Sequence, residues 1–221
     1  MFTLLRKVAA THGSVKLDAA AHGMANRIGS AKMTNKETCS AFITPDVRRH
    51  FVWTHPTRSK IDFLLPDPND IHIEDIAHHL SLVCRFGGAV PEHYSVAQHS
   101  VLVSYQCHPH DALAGLMHDA AEYVVGDMVS PLKHTDGLAG YREAEARVWR
   151  AICWKFGLSE ELPKSVHIAD SIIGAAENHW RKAGLGAYEG VTHPVVVYGA
   201  WSSYAAKNAF LSRFNELCAK R

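Results

Sequence analysis

The sequence predicts an all-α fold, a compact helical bundle, on three observations. From Ile73 onward apolar residues recur at three- and four-residue spacing instead of alternating. Helix punctuation falls between the periodic runs: Gly87-Gly88, Ser95, Pro109, Gly126 and Pro163. Only Phe51 to Asp70 is aromatic and proline-rich enough to read as extended chain, with room for a short hairpin. The chain has 221 residues, 47% of them hydrophobic and 20% charged, so one domain can bury a substantial core.

Taken in order, residues 1–45 are rich in Ala, Lys, Thr, Ser and Gly with weak periodicity and read as a partly ordered N-terminal extension. The domain is expected over 46–221. Ile73, Ile76, Ala77, Leu80, Val83 and Cys84 predict a first helix ending at Gly87-Gly88, with Arg85 and Phe86 on its C-terminal lip. A second helix opens at Ser95, with Gln98 as the other half of a capping box, and runs to about Gln106. Pro109 opens a third, which stops at Gly126 and is followed by a loop to Lys133.

A long helix is expected from about Gly140 to Phe156, with Tyr141, Ala144, Val148, Ile152 and Phe156 inward. The next follows Pro163 and carries Val166, Ala169, Ile173 and Trp180 alongside Asp170 and Glu177. The last, from about Ala200 to Cys218, uses Trp201, Phe210, Phe214 and Leu217 as core contacts. The five tryptophans, Trp53, Trp149, Trp154, Trp180 and Trp201, fit core spacing or aromatic cover.

Charge and cysteine usage narrow the function classes. With 23 basic and 22 acidic residues the net charge is +1, which gives no global field to recruit nucleic acid or a membrane surface. Five scattered cysteines without a Cys-x-x-Cys pair read as small buried hydrophobes in a reducing compartment. No apolar run approaches the roughly 18 to 20 residues that span a bilayer. A cytoplasmic protein is expected.

The third helix holds the chemistry. His118 and Asp119 stand side by side in the apolar run Ala112-Leu-Ala-Gly-Leu-Met-His-Asp-Ala-Ala-Glu-Tyr. A carboxylate buried there needs a compensating partner, and a metal ion is one. Glu122, four residues after His118 and three after Asp119, shares their helix face. His99 and Asp170 from other helices complete a mixed nitrogen and oxygen set, suited to Co, Mn, Zn, Fe or Mg. Such an ion with open positions lowers the pKa of water and polarises a phosphoryl oxygen, so phosphate-ester hydrolysis is the natural reaction.

The ordered strings Tyr94-Ser-Val-Ala-Gln-His-Ser100, Leu116-Met-His-Asp-Ala-Ala-Glu122, Gly126-Asp127, Ser130-Pro-Leu-Lys133 and Ala169-Asp170 resemble the HD-domain phosphohydrolase superfamily. Within it, the resemblance is closest to bacterial deoxynucleoside 5'-monophosphatases and phage dATP triphosphohydrolases. It implies that His99, His118, Asp119 and Asp170 bind one divalent metal, and that Glu122 and Asp127 orient or protonate groups at the scissile phosphate. Glu122 as a hydrogen-bond partner of His118, and Asp127 as an N-cap, are the structural alternatives.

Arg85-Phe86 resembles the family's substrate-binding Arg-aromatic pair, although the monophosphatases usually carry tryptophan where this chain has Phe86. Arginine can fork onto phosphate while an aromatic ring stacks on sugar or base. Lys133 is the candidate phosphate-holding cation, and His167, three residues before Asp170, can reach a phosphate tail. The expected activity is a metal-dependent deoxynucleotide phosphohydrolase, with dATP to deoxyadenosine plus triphosphate favoured by the compact phage-like format. Deoxynucleoside 5'-monophosphatase is the alternative, and a non-hydrolysing nucleotide-binding regulatory module is the alternative of another class. The expected partner is a small-molecule deoxynucleotide, to which an additional Mg can be bound, and the expected assembly is a homo-oligomer.

Overall fold

In a computed structural model, which describes residues 50–183 and 199–220, the stretch read as extended chain pairs with itself. β1 (Phe51–Trp53) and β2 (Lys60–Asp62) are antiparallel, with Phe51 opposite Asp62, Val52 opposite Ile61 and Trp53 opposite Lys60. A lone hairpin is marginal in water, so it must be anchored. Ile61 is buried in the core, and Asp75 accepts hydrogen bonds from Thr54 Oγ1 (2.6 Å), Thr57 N (2.9 Å) and Thr57 Oγ1 (2.5 Å). The extension expected over 1–45 lies outside the described residues.

Among the described residues the remaining elements are helical, and they form an all-α bundle. They are α1 (Ile73–Leu82), α2 (Val96–Gln106), α3 (Ala112–Met117), α4 (Glu122–Val125), α5 (Ser130–Lys133), α6 (Ala139–Phe156), α7 (Lys164–Ala183) and α8 (Ser203–Cys218). The centre is α2, which packs against α1, α3, α7 and α8. Every residue from Val96 to Ser104 is buried, as expected for a helix enclosed on all sides. One apolar cluster, with Ile76, Leu80, Val101, Leu116, Ile152 and Phe210, lies to one side of it. A second, with Leu102, Val103, Val166, Ile173 and Trp180, lies to the other.

Five local expectations are corrected. The first helix ends at Leu82, five residues before Gly87, because its next residues pair with the start of α2. Arg85 N donates to Tyr94 O (2.9 Å), Val96 N donates to Val83 O (3.0 Å), and Cys84 bridges Ser95. Arg85 to Gly88 then form a separate tight turn in which Phe86, Gly87 and Gly88 have φ of 58°, 59° and 81°. Glycine adopts this left-handed backbone freely, whereas phenylalanine there is strained, a cost often found at functional sites.

The capping box is one-sided. Ser95 Oγ accepts from Gln98 N (3.2 Å), but the Gln98 side chain turns the other way. Its amide donates to Gly199 O (2.9 Å) and accepts from Trp201 N (2.8 Å), fixing the chain that enters α8. That helix begins at Ser203, not Ala200, with Ser202 as its cap and Trp201 packed ahead of it.

The predicted helix from Pro109 to Gly126 is two short helices, α3 and α4, separated at His118 to Ala121. Shorter-range bonds take over there: Ala120 N to Met117 O (2.8 Å) and Glu122 N to Asp119 O (3.0 Å). The His118 ring also competes for a helix carbonyl, since its Nδ1 donates to Gly115 O (2.8 Å). A Cβ on Gly115 would lie 2.5 Å from Cys107 Sγ, so a larger residue there would have to displace that buried side chain. The short helix α5 occupies the end of the predicted loop.

Tryptophan cover holds in part. Trp180 is buried and Trp149 and Trp201 pack on the core, while Trp53 and Trp154 are 63% and 72% exposed. No described helix is long and apolar enough to cross a membrane.

Candidate metal centre and cleft

His99 comes from the first turns of α2, where burial on every side fixes its ring, and it has no solvent exposure. His118 and Asp119 stand at the break between α3 and α4, and Asp170 stands on α7. Their side chains converge. His99 Nε2 is 3.3 Å from His118 Nε2, 3.6 Å from Asp119 Oδ2 and 3.1 Å from Asp170 Oδ1. His118 Nε2 is 3.2 Å from Asp119 Oδ2 and 3.9 Å from Asp170 Oδ1.

Hydrogen bonds at the far side of each ring decide which nitrogen faces inward. His118 Nδ1 can only donate to the Gly115 carbonyl, and His99 Nδ1 lies 2.7 Å from Glu177 Oε1, a carboxylate held in its charged form. With both protons placed on Nδ1, both Nε2 lone pairs point at each other and at two carboxylates. In that form the set is four acceptors without a donor among them, which a cation balances: a proton on His99 or a metal ion. Ligands about 2.1 Å from a shared ion stand roughly 3.0 to 3.4 Å apart at right or tetrahedral angles, close to the separations observed here. His99, His118 and Asp119 can thus hold a metal ion, with Asp170 at its edge.

Electrostatics sort the acids into two kinds. Burial by itself would raise the Asp119 carboxyl, but the charges of His118, His99 and Arg85 outweigh it and hold Asp119 far below the usual carboxylate range. Asp170 is lowered against its own burial by His99 and then His118. Glu122 goes the other way: burial, then the charges of Asp119 and Asp127, push it well above its ordinary value. Its Oε2 is buried without a hydrogen-bond partner among the described residues. Asp127 is also raised, by burial first, against the pull of Arg85. Burial and Arg85 act to lower the His99 pKa, yet Glu177 and Asp170 lift it to about 9, so the centre favours positive charge. Neighbouring acids with opposed shifts are what acid–base chemistry requires.

A cleft of about 810 Å³ opens on this centre, lined by Arg85, Phe86, Asp119, Glu122, Asp127 and Lys133 among others. A second cavity of about 420 Å³ shares Asp119, Lys133 and Asp170 with it and adds His118, Arg142 and His167. Every sequence-predicted site residue therefore lines one cavity or the other, except the fully buried His99 behind them. A groove of about 570 Å³ beside Trp154 lies elsewhere, and its Arg147 and Arg150 are paired with Glu143 and Glu160.

Several roles differ from the simplest expectation. Lys133 is not a free cation: its Nζ donates to Glu145 Oε1 (2.6 Å). Arg85 is clamped, with Nε on Glu177 Oε2 (3.0 Å) and Nη1 on Asp119 Oδ2 (3.4 Å). Asp127 does not cap α5, whose N-cap is Val129 without a side-chain bond. His167 is exposed at the rim of the smaller cavity. Phe86 has guanidinium groups near its ring on two sides, Arg85 at 5.3 Å and Arg181 at 4.8 Å from the centroid. Sequence reading gave no role to Arg181 or to Glu177, although Glu177 lies two turns beyond Asp170 on the same helix face.

Fold and site together define a helical protein with a buried histidine–aspartate cluster that could hold a metal ion at the base of a polar cleft. No family model matches the chain. Over 128 residues it is 39% identical to the uncharacterized protein YfdR of Escherichia coli (strain K12), covering 58% of this chain and 68% of that protein. Over 131 residues it is 40% identical to an uncharacterized protein of Rhodobacter capsulatus, covering 53% of this chain and 66% of that one. The chain belongs to the family of YfdR.

Proposed function

We propose that this protein is a divalent-metal-dependent deoxynucleotide phosphohydrolase of the HD-domain superfamily, with dATP, cleaved to deoxyadenosine and triphosphate, as its substrate. The observation that carries the reading is the convergence of His99 Nε2, His118 Nε2, Asp119 and Asp170 beside a partnerless Glu122 oxygen at the base of a nucleotide-sized cleft. His99, His118, Asp119 and Asp170 would hold the ion, which when bound supplies Lewis-acid activation of a phosphoryl oxygen and of water.

The chain's own residues supply the remainder. Glu122, raised above its ordinary pKa, can carry a proton at the cleft floor and deliver it to a leaving oxygen, with Asp127 beside it. Lys133 exchanges Glu145 for a phosphate oxygen, and the Phe86 ring with Arg181 forms the apolar and cationic wall for sugar and base. The smaller cavity, with Lys133, Arg142 and His167, gives room for phosphates beyond the reacting one, which favours a triphosphate substrate over the deoxynucleoside monophosphate alternative.

Chromatographic product analysis with a panel of dNTPs and dNMPs and with Mn, Co, Zn, Fe or Mg tests the reading. Triphosphate and deoxyadenosine from dATP are expected. Inorganic phosphate from dNMPs alone would make it a monophosphatase, and no product from any nucleotide would sink the enzyme reading in favour of a nucleotide-binding module.

A further inference from the structure

We infer that Glu177 is a positioning residue that ties the metal-holding histidine to the substrate-side arginine through the two oxygens of one carboxylate. The inference rests on the proposed function for the meaning of those two sides. Glu177 has no solvent exposure, and a carboxylate so placed is costly unless both oxygens are satisfied. Both are. Oε1 accepts from His99 Nδ1 at 2.7 Å and Oε2 accepts from Arg85 Nε at 3.0 Å.

Helix α7 thereby places an acid beside each nitrogen of one imidazole. Glu177 takes His99 Nδ1, and Asp170, two turns earlier on the same face, stands 3.1 Å from Nε2. With the proton on Nδ1, the bond to Glu177 holds the ring while Nε2 is left facing Asp170 as an acceptor. Arg85, fixed at Nε by Glu177, turns its other nitrogens toward Asp119 and the cleft. Glu177 thus selects the His99 tautomer that offers Nε2 to a metal, and it aims Arg85.

An amide cannot do both jobs. In Glu177→Gln, keeping the carbonyl oxygen on His99 sets an NH2 against the Arg85 Nε–H. The flipped amide satisfies Arg85 but sets its NH2 against His99 Nδ1, which moves the ring proton to Nε2, where the ion would bind. Either orientation breaks one side.

The test is titration calorimetry of Mn2+ into the nucleotide-free full chain, followed by dAMP into the Mn2+-saturated protein. Loss of a hydrogen-bonding partner behind a metal-ligating histidine lowers affinity by about 10- to 100-fold, the loss expected for Mn2+ with Glu177→Gln when its NH2 turns to His99, whereas the other orientation shows in dAMP binding. Binding of dAMP is expected to weaken by at least about fivefold. Metal-free melting checks that the variant folds. Should Glu177→Gln fail to fold, Glu177→Asp carries the decision, since its shorter carboxylate reaches only one of the two partners and a smaller Mn2+ loss is expected.

Mn2+ and dAMP affinities both within twofold of wild type in whichever variant decides would overturn the inference. Wild-type protein that binds Mn2+ but hydrolyses no nucleotide would remove the enzyme reading and leave Glu177 in its place behind His99. Wild-type protein that binds no Mn2+ would overturn both.

Discussion

Two of the places where histidine rings meet among the described residues, the hairpin and the cleft, differ in the valences their hydrogen bonds leave over. Beside the hairpin, the His55 and His78 ring centroids are 4.8 Å apart and those of His78 and His79 are 6.0 Å apart. At the base of the cleft the His99 and His118 centroids are 5.2 Å apart, so crowding alone does not separate the two. At the hairpin, His79 Nε2 accepts from His55 N (3.0 Å) while Nδ1 donates to Tyr123 O (2.9 Å), which uses both ring nitrogens. The nearby carboxylate, Asp75, is occupied by Thr54 and Thr57. His78 is lowered by burial and then by Lys207, His55 and His79, so positive charge is disfavoured there. In the cleft, one nitrogen of each ring is anchored and the other is directed at carboxylates. A metal-competent histidine is marked by the lone pair its hydrogen bonds leave free.

Asp119→Ala should break the contrast most completely, abolishing divalent-metal binding in a metal-content assay and all nucleotide hydrolysis with it. Normal metal stoichiometry in that variant would show that the cluster is only a hydrogen-bonded network. Glu122→Gln should retain metal and lower kcat by about 10²- to 10⁴-fold, the range for losing a general acid or base. Turnover at the wild-type rate would remove Glu122 from the chemistry.

Lys133→Ala should raise KM by roughly tenfold with a smaller change in kcat, for loss of one charge-assisted hydrogen bond worth about 1.5 kcal/mol. The Glu145 pairing predicts that Glu145→Gln moves KM the other way, and steady-state kinetics on both variants checks the exchange. His79→Ala should leave metal binding untouched and destabilise the fold by about 1 to 3 kcal/mol, the cost of stranding its two partners. A drop in metal affinity there would dissolve the distinction between the two histidine groups.

The smallest effect concerns acid. Burial would raise Asp75, but the Thr54 and Thr57 hydrogen bonds lower it below its ordinary 3.8. A depressed folded-state pKa means that the contribution is present above pH 3.8 and is lost as the pH falls further. Melting curves from pH 6 to 2 should therefore show a steeper acid limb in wild type than in Asp75→Asn. Parallel limbs would count against the anchor.

Much of the site was legible because its chemistry is concentrated in short strings. His118, Asp119 and Glu122 stand within one helical turn or so, and burial in an apolar run already marks them as costly. Residue chemistry offered His99 and Asp170 as partners, and the family resemblance strengthened that choice, since residues this far apart in the chain share no spacing rule. Glu177 and Arg181 were passed over for a physical reason: an acid or base two or three turns from a motif on a half-polar helix looks like a solvated face. The break between α3 and α4 escaped too, because the apolar period continues across it while a side-chain bond to Gly115 O redirects the backbone.

By itself the sequence determined the helical class, the hairpin, the order of the helices and the candidate ligands, because periodicity, caps and residue chemistry are local properties. Tertiary structure alone decided where α1 stops, that Lys133 begins bound to Glu145, and that Arg85 is clamped rather than free. It also decided which imidazole nitrogens face the centre. That choice depends on hydrogen bonds such as His99 to Glu177, made between residues 78 positions apart, and only the packing of α7 against α2 brings them together.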